Sequence, residues 1–522
     1  MKRIKLFLFL ISCTYFALPA LAQDTLWVRY DDRFKANGVI ALGGVDSIDI
    51  RSKQFRIYAD SLPNGYRTIG YSSLVPIDAA SMVFSNPGRY LLKPNTYSGT
   101  DYTNAKATTG YNFAHMVEGD HFAVFWDARY GENPAYIKHP DNGSVANAYT
   151  VLNICESCWN KYVELGFVKE GESTTDNYKI QLYIPYQSDW RADASGTDGV
   201  NGGRTGIGHF NPWAATARGG HTVAHEVGHT FQYLTSADSD SFWERGFNYG
   251  YGDGGSGGNG WWESCADWQA YKVFPDRQFT DGEYFEGHLP LHHLNLLHED
   301  WRYQNCFIQD WWCMKHGSDF IGRLWRASIR PEDPVEVYKR LCGLTQEEFN
   351  DEQMEGYMRM ATWDIDGVRD AAKHRIGQHL SANYMTRVSG TTDTWQSDVD
   401  HCLQNYGYAI INMNTALAGK TVKAYFKGMA GADGYRSINK SYAGWRYAFV
   451  AYTSSGTRIY GDVQSDAEGV ATLTVPANCA NLFFIVMGAP TQHWHHPWDD
   501  DSSNDEQWPY QVRFENTNIK GY

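Results

Sequence analysis

The sequence predicts an α+β protein in which a region of strands followed by helices is flanked by two β regions. Three observations predict it. Short strand-like segments separated by Gly, Pro and Asn fill residues 23 to about 105, and strand-like segments return from about 386 to 522. Between them, apolar residues recur at three- and four-residue spacing after an initial pair of strand-like runs. The length, 522 residues, suits about three domains. The boundaries read as 1–22 leader, 23–105 small β domain, 106–385 α+β domain and 386–522 β-sandwich-like domain.

Taken in order, the N-terminus reads as an export signal. Lys2, Arg3 and Lys5 precede a largely apolar run from Leu6 to Leu18, and Ala20-Leu21-Ala22 fits a small-residue cleavage site. The mature chain then starts at Gln23. Leu10-Ile11-Ser12-Cys13 also has the look of a lipobox, but apolar residues continue past Cys13, so the reading is secretion or a periplasmic or cell-surface location without a lipid anchor. No other stretch approaches the ~18 apolar residues of a membrane span.

The segments "TLWVRY", "GVDSIDI", "QFRIYAD" and "RYLLKP" supply the first β region. "HFAVFWD" and "KIQLYIPY" read as buried strands opening the central region, and a Gly-rich stretch leads to "TVAHEVGHTFQYL". "WWESCADWQAYKVF", "DFIGRLWRASI", "PVEVYKRLCGL" and "EEFNDEQMEGYMRMATW" then read as helices, the first of them amphipathic. "YGYAIINMN", "TVKAYFKG", "RYAFVAYT", "ATLTVPA" and "NLFFIVMGAP" follow as strands at sandwich-like spacing.

Composition narrows the partners. The formal charge of −15 lacks the clustered Lys and Arg that phosphate backbones need, so nucleic acid is excluded. Aromatic residues make up 15% of the chain, which admits either stacking on sugar rings or large aromatic cores. Eight cysteines remain after Cys13; "CESC" (Cys155, Cys158) and the pair Cys306 and Cys313 are read as local bridges or plain thiols.

The chemistry concentrates at residues 222–234. His225 and His229 are four apart, so on a helix both imidazoles share one face. Gly219 and Gly220 precede that helix, and Val223, Val227, Phe231 and Leu234 form an apolar stripe. Glu226 sits where an H-E-x-x-H helix places a general base. A catalytic zinc takes three protein ligands and keeps one position open. The third is expected from "NGWWESCADWQA", where Glu263 and, one turn later, Asp267 share a face.

The pair H-E-x-x-H and downstream E-x-x-x-D resembles the gluzincins, thermolysin-like zinc hydrolases. That resemblance implies a gluzincin-like metallohydrolase domain, Glu263 as third ligand and Asp267 as the partner that orients His225 or His229. The glycine in HEVGH is also similar to the HExGH helix of enhancin-like, mucin-degrading metallopeptidases, although the interval to the second helix is longer here. Over the whole chain, HEVGHTFQ with WWExxAxW resembles an uncharacterised family of secreted bacterial proteins.

The expected function is therefore a secreted zinc metallopeptidase acting on proteins or glycoproteins, with Glu226 taking the proton of the attacking water. The same site would serve a zinc hydrolase of glycan or ester bonds, and a non-catalytic carbohydrate-binding protein is the remaining alternative. His288, His292, His293, His298, Tyr249 and Tyr251 are candidate oxyanion donors, and His221 faces the site or starts the helix. "GIGHFNPWA" either pairs with extended substrate, by analogy with gluzincins, or simply connects. The acidic run Trp498–Trp508 is a Ca²⁺ candidate, or a solvated loop. In the neighbouring "HWHHPW", His493, His495 and His496 are further metal or glycan-contact candidates.

Overall fold

The computed structural model describes five strands within residues 25–70, residue 102, and residues 104–176, 178–196, 205–241, 244–248 and 259–522. The leader, Cys13, "RYLLKP", Tyr249 and Tyr251 lie outside the described residues. The chain is mixed α and β with several sheets, and it forms two compact units: Met1–Val163 with Val168–Phe242, and Glu164–Phe167 with Trp243–Tyr522. The boundary expected near residue 385 falls inside the second unit.

In the first unit, β1 (Thr25–Val28) pairs with β2 (Gly38–Ala41), and β3 (Ser47–Arg51), β4 (Gln54–Tyr58) and β5 (Tyr66–Gly70) form an antiparallel meander. A five-stranded sheet follows. Its members are β6 (Met116–Glu118), β7 (Phe122–Trp126), β10 (Ile180–Ile184), β11 (Ala192–Gly196) and β12 (Gly206–Phe210), in the order β11-β12-β10-β7-β6. β7, β10 and β12 are parallel, and β6 and β11 are antiparallel edges. Both faces of β7 and β10 are buried, which is why they read as unbroken apolar runs. The short hairpin β8 (Ile137–Lys138) and β9 (Val145–Ala146) and the helix α1 (Ala148–Glu164) lie between β7 and β10. The sequence reading placed strands first and helices after. α1 corrects it, because parallel neighbours need a long crossover.

Beyond β12 come α2 (Pro212–Thr216) and α3 (His221–Ala237). Glycine sets how closely α3 lies on the sheet. A Cβ on Gly196 of β11 would fall 1.9 Å from the ring of Tyr233, and one on Gly206 of β12 would fall 2.7 Å from Thr230 Cβ. The Gly-rich stretch before the histidine helix is thus partly a packing surface. On the other side of α3, the Tyr162 hydroxyl of α1 donates to Ala224 O at 2.8 Å, and Trp159 and Tyr162 meet Phe231 edge-on.

The second unit begins with α4 (Asn259–Val273), α5 (Gly282–His288), α6 (Ile308–His316), α7 (Phe320–Ala327), α8 (Pro334–Cys342), α9 (Gln346–Met360) and α10 (Arg369–Ala372). α8 and α9 each start with a capping box, Asp333 with Glu336 and Thr345 with Glu348. Two antiparallel sheets follow. One has the order β13 (Met385–Arg387), β14 (Thr394–Ser397), β21 (Tyr510–Glu515), β16 (Thr421–Gly428), β19 (Glu468–Thr474). The other has the order β15 (Tyr408–Met413), β20 (Cys479–Gly488), β17 (Trp445–Thr453), β18 (Arg458–Tyr460). Ile411, Phe426, Phe449, Phe484 and Val512 share one core, so the two sheets pack face to face as a sandwich. α9 packs on β17 and β20, and the Tyr357 ring of α9 stacks on Tyr408 of β15 at 3.9 Å. That contact ties the sandwich into the helical region.

The aromatic share is mostly core: Trp261, Trp268, Trp301, Trp311, Trp312, Trp325 and Trp363 are among the largest fully buried side chains. The eight described cysteines are free thiols. Cys155 and Cys158 sit on α1, and burial first, with the charge of Glu156 adding to it, pushes the Cys158 thiol up to about 12, so this C-x-x-C is inert packing. Among the described residues, no helix is long and apolar enough to cross a membrane.

Candidate metal centre

α3 carries the histidine motif, and its entry is set by glycine. Gly219 (φ 62°) and Gly220 (φ 95°) take left-handed backbone conformations that other residues rarely adopt, and they turn the chain from α2 into α3. Upstream, Asn211 caps α2 through Ala214 N–H, with Pro212 in the first turn. The helix is buried on almost every side rather than half exposed; only Tyr233 is partly open. His221, its first residue, is fully buried.

The two imidazoles face each other, with His225 Nε2 and His229 Nε2 3.1 Å apart. Two tetrahedral zinc ligands at ~2.05 Å from the ion stand about 3.3 Å apart, so this spacing matches a shared ion. His229 Nδ1–H donates to Gln232 Oε1 at 2.8 Å. With the proton held at Nδ1, Nε2 presents its lone pair, the arrangement metal-binding histidines need. Gln232 was not singled out in the sequence. Its signal was its place three residues beyond His229, on the same helical face. Glu226, between the histidines, is buried at 5% exposure.

Glu263 lies on α4, which corrects a second expectation. α4 is not amphipathic: from Gly260 to Tyr271 every residue is buried. The tryptophans of its motif anchor it inside the second unit. Trp261 stacks on Trp312 at 5.2 Å, Trp262 meets Trp325 edge-on, and Trp268 Nε1–H donates to Asp310 Oδ1 at 3.0 Å. Gln309 Nε2–H donates to Ser264 O, and a Cβ on Gly260 would fall 2.4 Å from Leu297 O, so the helix has little freedom to roll. Glu263 and Asp267 are therefore carboxylates in an apolar helix, and burying their charge demands hydrogen bonds or a cation. Burial first, and the charge of Asp267 second, push the Cys306 thiol well up.

His225 and His229 lie in the first unit and Glu263 in the second, and all three residues are buried. α3 thus brings together the two histidines singled out as metal ligands, and imidazole donors fit zinc.

The other candidates are placed differently. His288 Nδ1–H donates to Gln304 O and its Nε2 accepts from the Tyr408 hydroxyl. His292 stacks on Tyr408 at 4.5 Å, His293 packs against His401, and His298 caps a turn through Asp300 N–H. These four have structural work within the second unit. "GIGHF" is β12, hydrogen-bonded to β10 on one side and β11 on the other, so it has no edge to offer a substrate; that edge belongs to β11. In the acidic run, Asp499 and Asp501 accept backbone N–H groups of Asp501 and Ser503 and so close a local turn.

Comparison with known proteins adds a family and little else. No curated protein matches the chain. Among solved structures, the crystal structure of Yersinia pseudotuberculosis-derived mitogen matches at 6% identity over 23% of this chain and 82% of that chain, with a TM-score of 0.15, too low to carry an argument. Residues 84–521 match the model of the family of unknown function DUF6055, and the chain belongs to that family.

Proposed function

We propose that the protein is a secreted, gluzincin-like zinc hydrolase that cleaves peptide bonds. The observation that carries the reading is the facing pair of imidazoles on α3, with the His225 and His229 Nε2 atoms 3.1 Å apart and Glu226 buried between them in sequence. His225 and His229 would hold the ion, with Glu263 as the proposed third ligand. Zinc in such a site supplies a Lewis acid for the scissile carbonyl and brings the pKa of water toward ~7. Gln232 orients His229. Asp267, one turn beyond Glu263, is the proposed partner that orients a liganding histidine. Glu226 takes the proton from the attacking water and delivers it to the leaving nitrogen, the role its place beside His225 allows. An extended substrate would add to the edge of β11 through backbone hydrogen bonds.

A glycosylated substrate is favoured by one feature of the first unit. Trp190 and Trp213 are 45% and 43% exposed and meet edge-on at 5.2 Å, a rare exposed aromatic pair in a chain whose tryptophans are mostly interior. Asn211 Nδ2–H holds the Trp190 loop by donating to Asp189 O at 2.8 Å.

The test is a comparison of wild type and E226Q on casein, mucin and polysaccharides, each with and without a chelator. E226Q should bind zinc like wild type and lose about 10²–10⁴-fold in turnover. Undiminished turnover would remove Glu226 from the chemistry. Chelator-sensitive cleavage of polysaccharide but not of protein would move the activity to glycan bonds.

A further inference from the structure

The histidines of "HWHHPW" have no part in the proposed hydrolysis, yet two of them face a second pair of carboxylates inside the second unit. Asp333 and Glu336 form the capping box of α8. Asp333 Oδ1 accepts the N–H groups of Val335 and Glu336 at 2.9 and 3.0 Å, and Glu336 Oε2 accepts Asp333 N–H at 3.1 Å. Capping leaves Asp333 Oδ2 for another partner, and it lies 2.8 Å from His493 Nε2. Glu336 Oε2 lies 2.7 Å from His495 Nε2. Ligand atoms of Asp333, His493 and His495 all fall within 4.8 Å of one another.

The far side of His493 decides what its near side can do. His493 Nδ1 is 3.0 Å from the Tyr406 hydroxyl, which also accepts Gln346 Nε2–H at 3.1 Å. The Tyr406 hydroxyl both donates and accepts, so either tautomer of His493 fits; with the proton on Nδ1, Nε2 turns a lone pair toward Asp333. In that tautomer Nε2 and Asp333 Oδ2 are two acceptors 2.8 Å apart, a pair that a metal ion bridges; in the other, Nε2–H donates to Asp333. Convergence of a second imidazole and a second carboxylate favours the ion. Two neutral imidazoles and two carboxylates carry a charge of −2, which one divalent cation neutralises. The pocket also has a route in: the Asp333 side chain is fully buried, whereas those of His495 and Glu336 are 23% and 38% exposed.

The adjacent cluster of His298, Glu299 and His496 differs. His298 Nδ1 accepts Asp300 N–H at 3.0 Å and its Nε2–H donates to Asp505 Oδ2 at 3.1 Å, so that ring has no lone pair left for a cation. Protons close that cluster.

We infer that Asp333, His493 and His495, with Glu336 as a fourth ligand, bind a divalent transition-metal ion of the zinc type. Imidazole donors select against Ca²⁺ and Mg²⁺. The ion would clip the segment between β20 and β21 to the start of α8, a structural role separate from hydrolysis.

The test counts zinc in the full-length, untagged, chelator-stripped chain, titrating Zn²⁺ against a competing chromophoric chelator. H225A/H229A, which lacks the proposed catalytic ligands, should keep one Zn²⁺ per chain with Kd below about 1 μM. In the otherwise wild-type chain, H493Q/H495Q should bind one Zn²⁺ fewer than wild type. H495Q alone, at a partly exposed position, should weaken that site at least about tenfold with the circular dichroism spectrum unchanged. Co²⁺ in place of Zn²⁺ should give H225A/H229A a visible ligand-field band that H495Q abolishes. No tight Zn²⁺ in H225A/H229A, or a stoichiometry and affinity indifferent to H495Q, would overturn the site. These outcomes are independent of whether any substrate is cleaved.

Discussion

Two histidine-rich regions of this chain have opposite fates. On α3, His225 and His229 turn their Nε2 atoms toward each other, and His229 is held in that posture by Gln232. In the second unit, His288, His292 and His379 are buried among Trp301, Trp363, Tyr408 and Phe307. There burial pushes His288 down to about 3 and His379 to about 4, each only partly offset by a hydrogen bond to a backbone carbonyl, so the rings serve as neutral aromatic filler. Histidine density alone does not mark a metal site. What marks it is lone pairs directed at one point, with the opposite nitrogen holding the proton.

The sharpest way to break this comparison is to remove a ligand. H225A should lose the α3 zinc and all detectable hydrolysis, whereas H288Q should alter neither; zinc stoichiometry and chelator-sensitive cleavage distinguish the two. Next comes Q232A, which leaves the ligands in place but frees His229. Zinc affinity at that site should fall about 10–100-fold, measured by chelator competition. An unchanged affinity would mean that Gln232 does not orient the ring.

A pH series probes the other region. His288 and His379 have folded pKa values of about 3 and about 4, below the ordinary 6.5. Between those values the unfolded chain binds protons that the folded chain refuses. Their stabilisation is complete above pH ~6.5 and is lost as pH falls toward 4, at up to about 1.4 kcal/mol per pH unit for each histidine. Urea midpoints for the second unit's transition at pH 7, 5.5 and 4.5 should fall accordingly, and a flat series would show that these rings are not held neutral. The smallest effect expected is that of Y162F, which removes the hydrogen bond to Ala224 O. It should cost about 0.5–1.5 kcal/mol, read as a lower Tm with zinc stoichiometry unchanged.

Much of this was legible beforehand. The runs "FAVFW" and "IQLYI" announce buried strands because both faces are covered, and "PVEVYKRLC" announces a capped helix because Asp333, Pro334 and Glu336 stand in the expected places. α1 was missed. Its buried positions, Ala148, Val151, Leu152, Cys155, Cys158, Trp159 and Tyr162, do recur at helical spacing, but the need for a crossover becomes visible only once β7 and β10 are known to be parallel. The sequence predicts an amphipathic α4, but its polar residues are buried along with its apolar ones.

By itself, the sequence determined the local chemistry: which residues are one helical turn apart, where helices start, and which runs must be buried. Spacing along a helix is set by covalent geometry and a fixed pitch. Only the tertiary structure decided that Asp333 and Glu336 meet His493 and His495 across about 160 residues. Such encounters depend on how whole elements pack, and no short-range pattern in the chain encodes them.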